Sequence, residues 1–142
     1  MKNLILSSVI LAAITGCATS PVPFDKATSA PTERVYALQS TPSSEYGTVI
    51  VTRDSGYLGS ACYHGVYING NLVASLSPAE KAAFKVPVGE YLIGVGNPGG
   101  KGLCSFNADY RREVSTIVRA GETKRFRFLS TQDGISVEPT SF

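Results

Sequence analysis

The chain has 142 residues, one domain's worth, with 13 Lys and Arg against 11 Asp and Glu for a formal charge of +2. That balance gives no basis for a nucleic-acid partner, and a single His leaves little material for His-based metal or nucleophile chemistry. Low charge content with 14 Gly and 8 Pro points to short strands and many turns.

In chain order the first element is an address. Met1-Lys2-Asn3 precedes an apolar run from Leu4 to Ile14, too short for the roughly 20 residues a membrane-spanning helix needs. A positive start, a short apolar run and small residues after it fit a secretory signal peptide over residues 1–16. Ile14-Thr15-Gly16-Cys17 resembles the bacterial lipobox. The resemblance implies cleavage before Cys17 and acylation (palmitate among the chains) on its sulfur and amino group. Two or more acyl chains anchor stably where one does not. Ala18, rather than Asp, favours the periplasmic leaflet of the outer membrane of a Gram-negative bacterium. The alternative is an ordinary signal peptide with an incidental Cys.

Residues 17–45 carry Pro21, Pro23, Pro31 and Pro42 among Ser and Thr. Such a segment reads as a flexible tether, reaching about 30 Å on average. Whether Val35-Tyr36-Ala37-Leu38 docks on the domain is left open by the sequence.

Residues 46–142 read as an all-β domain, a small antiparallel β-sandwich of about seven or eight strands. The strands are expected over Thr48–Arg53, Tyr63–Ile68, Leu72–Leu76, Ala82–Val86, Glu90–Val95, Glu113–Val118, Thr123–Leu129 and Ile135–Glu138. Asn69-Gly70 between two alternating runs signals a hairpin with a left-handed turn. Pro87-Val88-Gly89 and Arg119-Ala120-Gly121-Glu122 read as further tight reversals. In Lys124-Arg125-Phe126-Arg127-Phe128, strand periodicity puts Phe126 and Phe128 in the core and Arg125 and Arg127 on the other face. Ser77-Pro78-Ala79-Glu80 has the spacing of a capping box, predicting a short helical turn near residues 78–82.

Cys62 and Cys104 are an even pair in an exported chain, and a disulfide is the default reading in an oxidising compartment. Free thiols remain an alternative, as does a metal set of Cys62, His64 and Cys104. The latter lacks an evident fourth ligand, so no metal and no cofactor are expected. His64 reads as a surface or hydrogen-bonded strand residue whose removal costs little. Gly94-Val95-Gly96-Asn97-Pro98-Gly99 has the letters of the dinucleotide fingerprint but no helix behind it. The run around Gly100-Lys101-Gly102 then reads as a mobile loop. Asp54, Glu80, Asp109, Glu113 and Asp133 read as solubilising charges rather than paired catalytic carboxylates. No Gly-x-Ser-x-Gly elbow is present, and no catalytic residue is expected. Arg111, Arg112, Arg125 and Arg127 form a candidate basic stripe toward an anionic envelope polymer or lipid phosphate, with interleaved surface charge as the plainer reading.

Four stretches carry a family resemblance: Thr48-Val49-Ile50-Val51-Thr52-Arg53, Val66-Tyr67-Ile68-Asn69-Gly70-Asn71-Leu72-Val73, Phe84-Lys85-Val86-Pro87-Val88-Gly89-Glu90-Tyr91 and Arg119-Ala120-Gly121-Glu122-Thr123. Together they resemble a domain family of bacterial lipoproteins related in pattern to the PEGA-type β-sandwich repeat. The long Gly96–Gly102 loop departs from that pattern. The resemblance implies a sandwich fold and carries no catalytic residues. The functional expectation is a non-enzymatic, membrane-anchored binding or structural module that meets an envelope protein or polymer. The alternatives are an accessory subunit of an envelope-spanning secretion or conjugation apparatus, or an envelope enzyme or enzyme inhibitor.

Overall fold

Nine strands stack in two sheets in the computed structural model, which describes residues 19–57, 59–105 and 110–142. The expected signal peptide, Cys17 and Asp109 lie outside the described residues. The strands are β1 (Thr28–Ser29), β2 (Tyr46–Arg53), β3 (His64–Ile68), β4 (Asn71–Leu76), β5 (Glu80–Pro87), β6 (Gly89–Gly96), β7 (Arg111–Val118), β8 (Thr123–Thr131) and β9 (Gly134–Pro139). One sheet has the order β1-β5-β2-β8-β9 and the other β4-β3-β6-β7.

Period-2 alternation explains the core. Val49 and Val51, Val66 and Ile68, Phe84 and Val86, Ile93 and Val95, and Phe126 and Phe128 all point between the sheets and are buried. All eight expected strands are present, and the sheets are antiparallel apart from two parallel pairs, β1 with β5 and β2 with β8. The second pair follows from the connections. Val88 and the turn after β7 do not close hairpins; each carries the chain from one sheet to the other, so β8 returns beside β2 in the same direction. Within-sheet hairpins occur at Asn69-Gly70, where φ is +49° and +77°, and at Gln132-Asp133.

The helical turn expected near residues 78–82 is absent, since β5 starts at Glu80. The Ser77 amide does donate to the Glu80 carboxylate at 2.7 Å, as in a capping box. The Glu80 amide donates to the Ser77 carbonyl at 3.2 Å, and Ala79 has φ +61°. Pro78 followed by a positive φ makes a type II turn, and strand pairing with β2 takes the chain from there.

Residues 19–45, expected to be a tether, lie along the domain. Ser20 pairs with Ser55, β1 adds to the edge of β5, and Val35 pairs with Ala74 on the edge of β4. The Tyr36 amide donates to Val73 O at 2.8 Å, and the Lys85 amide to Leu38 O at 2.8 Å. The prolines block helix but leave extended backbone free to satisfy open sheet edges, which is why a polar segment stays docked.

Every β2-to-β3, β4-to-β5, β6-to-β7 and β8-to-β9 connection falls at one end of the sandwich, as does Thr19 beside Asp54. This end is called the disulfide end.

Candidate groove beside the disulfide

Cys62 and Cys104 are bonded, with Cα atoms 5.6 Å apart, which removes the free-thiol and metal alternatives for this pair. The bridge ties the loop after β2 to the loop after β6. Both loops are also fixed from within. Asn97 folds the glycine-rich turn, donating from Nδ2 to Cys104 O at 3.0 Å and accepting the Gly99 amide at Oδ1 at 3.0 Å. This short side chain acts as a substitute for backbone partners, as Asn does in turns.

The other loop is held by Arg53. The residue is 2% exposed, and its guanidinium donates to Cys62 O at 2.8 Å, Leu76 O at 2.7 Å and Gly59 O at 2.7 Å. Desolvation by burial lowers its pKa to about 10, against the raising influence of Glu80. Arg53 thus stays charged while three carbonyls absorb its donors. Periodicity could have revealed this residue: it continues the inward series Val49, Val51.

The same logic corrects His64, which continues the inward series Val66, Ile68. It is 9% exposed and packs edge-on against Phe128 with ring centroids 5.0 Å apart. Its Nδ1 has no hydrogen-bond partner among the described residues, and burial followed by the Arg53 charge lowers its pKa to about 4. It also forms one wall of a cleft of about 440 Å³ with Tyr110, Gln132 and Asp133.

A groove of about 540 Å³ opens between the docked N-terminal segment and these two loops. Arg34 and Tyr36 form one wall, Cys62, Tyr63 and Leu72 the floor, and Pro98 to Lys101 with Cys104 the other wall. Arg34 is fixed by Glu80, by Ser75 O at 3.0 Å and by stacking 4.6 Å from the Tyr63 ring. The Tyr36 hydroxyl donates to Ser75 Oγ at 3.1 Å. Tyr36 and Tyr63 are nevertheless half exposed, at 51% and 53%, so their faces are offered to solvent in fixed positions.

The expected basic stripe is not assembled. Arg111 and Arg112 sit on β7 and Arg125 and Arg127 on β8, in different sheets. Each covers its own neighbour: Arg111 the Tyr67 ring at 3.8 Å, Arg112 the Tyr110 ring at 4.7 Å, and Arg125 the Phe24 ring at 4.9 Å. Arg127 pairs with Asp54, which is 4% exposed and also accepts from Thr19 Oγ1 at 3.2 Å. Asp54 and Glu80 are therefore structural partners of cations rather than solubilising charges. Among the described residues no group of three or more His, Cys, Asp or Glu is placed to hold a metal. Comparison with known protein families, with characterised proteins and with solved structures finds no match.

Proposed function

We propose that this chain is a lipid-anchored module of the bacterial outer membrane, facing the periplasm, that binds an extended segment of an envelope protein in the groove beside the disulfide without catalysing a reaction. The Cys62–Cys104 bond is the observation that carries the exported reading, because such bonds persist in oxidising compartments. The run Ile14-Thr15-Gly16-Cys17 supports the anchor, and the resemblance to lipoprotein sandwich domains agrees with it. The groove supports binding: Tyr36 and Tyr63 are held by neighbours, so they present contact area at little cost in side-chain entropy. An anionic polymer is the weaker partner, since the four arginines are dispersed.

The test has two arms. Metabolic labelling with a fatty-acid analogue should mark the chain and fail with Cys17→Ala; labelling of that variant overturns the anchor. A photo-crosslinking amino acid at position 63 should give a discrete adduct in intact envelopes, lost when Tyr36→Ala is added, while position 88 gives none. Equal adducts at positions 63 and 88 overturn the groove as the binding surface.

A further inference from the structure

We propose that the disulfide end of the domain seats directly on the lipid surface, with the side chains of Tyr57 and Leu103 in the headgroup layer. The inference rests on reading Cys17 as the anchor and goes beyond it by fixing which face meets the membrane. Three observations converge on this end.

The first is where the chain leaves the domain. Thr19 is held by Asp54, and Ser20 pairs with Ser55 through amides in both directions, at 2.8 and 3.0 Å. A Cβ on Gly56 would come within 3.3 Å of Thr19, so the two segments lie in close contact. Cys17 is two positions earlier in the sequence, and two residues span at most about 7 Å. An acylated Cys17 therefore leaves no room for a stand-off: the acyl chains enter the bilayer beside the loop that carries Tyr57.

The second is exposure. Tyr57 is 91% exposed and Leu103 is 85% exposed, the largest values among the large apolar side chains of the described residues. Both lie on the two loops joined by Cys62–Cys104, and neither lines the groove. Tyr is suited to the membrane–water boundary because its ring is apolar and its hydroxyl is wet. The third is charge. Among the described residues, Lys101 and Arg112 at this end are exposed cations that suit anionic headgroups, against the exposed carboxylates of Asp133 and of Glu113 beside Arg112. Asp54, the carboxylate nearest the exit point, is buried and paired with Arg127.

The chain contains no Trp, so a single introduced indole reports its own position. Full-length Tyr57→Trp, Leu103→Trp and Val88→Trp chains, processed in cells and purified, are placed in vesicles of phosphatidylethanolamine and phosphatidylglycerol with brominated acyl chains. Val88 is 48% exposed at the opposite end, between β5 and β6. The expected result is quenching and a blue shift for Tyr57→Trp and Leu103→Trp, with neither for Val88→Trp. A chain shown by mass to be acylated, yet unquenched at positions 57 and 103, overturns the seat and leaves the anchor standing. Equal quenching at all three positions also overturns it. Recovery of the processed chain without acyl mass overturns the anchor reading itself.

Discussion

Arg34 grips Glu80 with both terminal guanidinium nitrogens, each 2.6 Å from a carboxylate oxygen, across 46 positions of sequence. Both side chains are mostly buried, at 16% and 14% exposure. A bidentate pair shielded this way is worth more than a surface ion pair, and losing one member leaves the other without its partner. This contact joins the N-terminal segment to the start of β5, and Arg34 then stacks on Tyr63 to build a wall of the groove.

Glu80→Gln should loosen that segment without unfolding the sandwich. Trypsin cleavage after Arg34 should accelerate by about tenfold, corresponding to about 1.4 kcal/mol, because cleavage follows the open population. Burial pushes the Glu80 carboxyl up, but hydrogen bonds from Arg34 and the Ser77 amide outweigh it and hold its pKa below the ordinary 4.5. A depressed carboxyl contributes stability above the unfolded value and loses it as pH falls through the folded value. Protection of the Tyr36 amide from hydrogen exchange should therefore drop below about pH 4.5 in the wild type. An unchanged trypsin rate for the variant would show that the segment is held by other contacts.

His64 sets a second pH dependence with its own window. Its pKa is lowered from 6.5 to about 4, so the folded state resists a proton that the unfolded state accepts. Stability should be full above about pH 6.5 and fall by about 1.4 kcal/mol per unit down to about pH 4, roughly 3 kcal/mol in all. His64→Gln should flatten this slope in denaturant titrations while costing stability at pH 7. A variant with the wild-type slope between pH 6.5 and 4 would assign the effect to another group.

The sheets were legible because strand formation leaves a local trace. Val49-Ile50-Val51, Phe126-Arg127-Phe128 and Asn69-Gly70 each carry their periodicity or turn chemistry within a few residues. The pairing partners were not legible, because Pro87-Val88-Gly89 signals a reversal without saying whether the next strand pairs or crosses to the other sheet. Docking of Arg34, Val35 and Tyr36 depends on edges more than 35 residues away, so composition alone suggested a tether. The groove shares that limit: the sequence placed its disulfide and glycine-rich loop, and missed Arg34 and Tyr36. Arg53 and His64 both lie within reach of the alternation, but the polarity of His64 argues for the surface. Three backbone carbonyls for Arg53, and the Phe128 ring for His64, provide the settings that burial requires.

The disulfide spans 42 positions, and on the chain-entropy account it restricts the unfolded state by about 4 kcal/mol. Cys62→Ser/Cys104→Ser should still fold, with stability reduced by about 3 kcal/mol in chemical denaturation. Arg53 and Asn97 would keep their loops partly in place, so the loss should be smaller for the sandwich core than for the groove. Crosslinking from position 63 should accordingly fall further than the fraction unfolded. Two alkylatable thiols in wild-type protein recovered unreduced from an oxidising compartment would contradict the bridge.

The final prediction concerns Tyr67, whose side chain lies against Gly94 and Gly96, two of the glycines that imitate a nucleotide fingerprint. The ring lies on the outer face of its sheet, yet the residue is only 6% exposed. A Cβ built on Gly65 would come 2.8 Å from Tyr67 Cε2 and 2.7 Å from Leu72 Cδ1, and one on Gly96 would come 3.4 Å from Tyr67 Cε2. Gly94 meets Tyr67 Cβ at 3.3 Å, and the Arg111 guanidinium covers the ring. The glycines thus form a bed for an aromatic ring, a cross-strand device known to compensate for glycine in sheets. Gly65→Ala should cost about 2 kcal/mol through overpacking, and Tyr67→Ala about 3 kcal/mol through lost burial. Once the ring is gone, its share of the crowding at Gly65 goes with it, and the contact with Leu72 Cδ1 remains. Gly65→Ala/Tyr67→Ala should then be more stable than the sum of the single losses by about 1 kcal/mol, the coupling expected of residues in contact. Strict additivity in urea titrations would mean that the ring does not rest on Gly65 in solution.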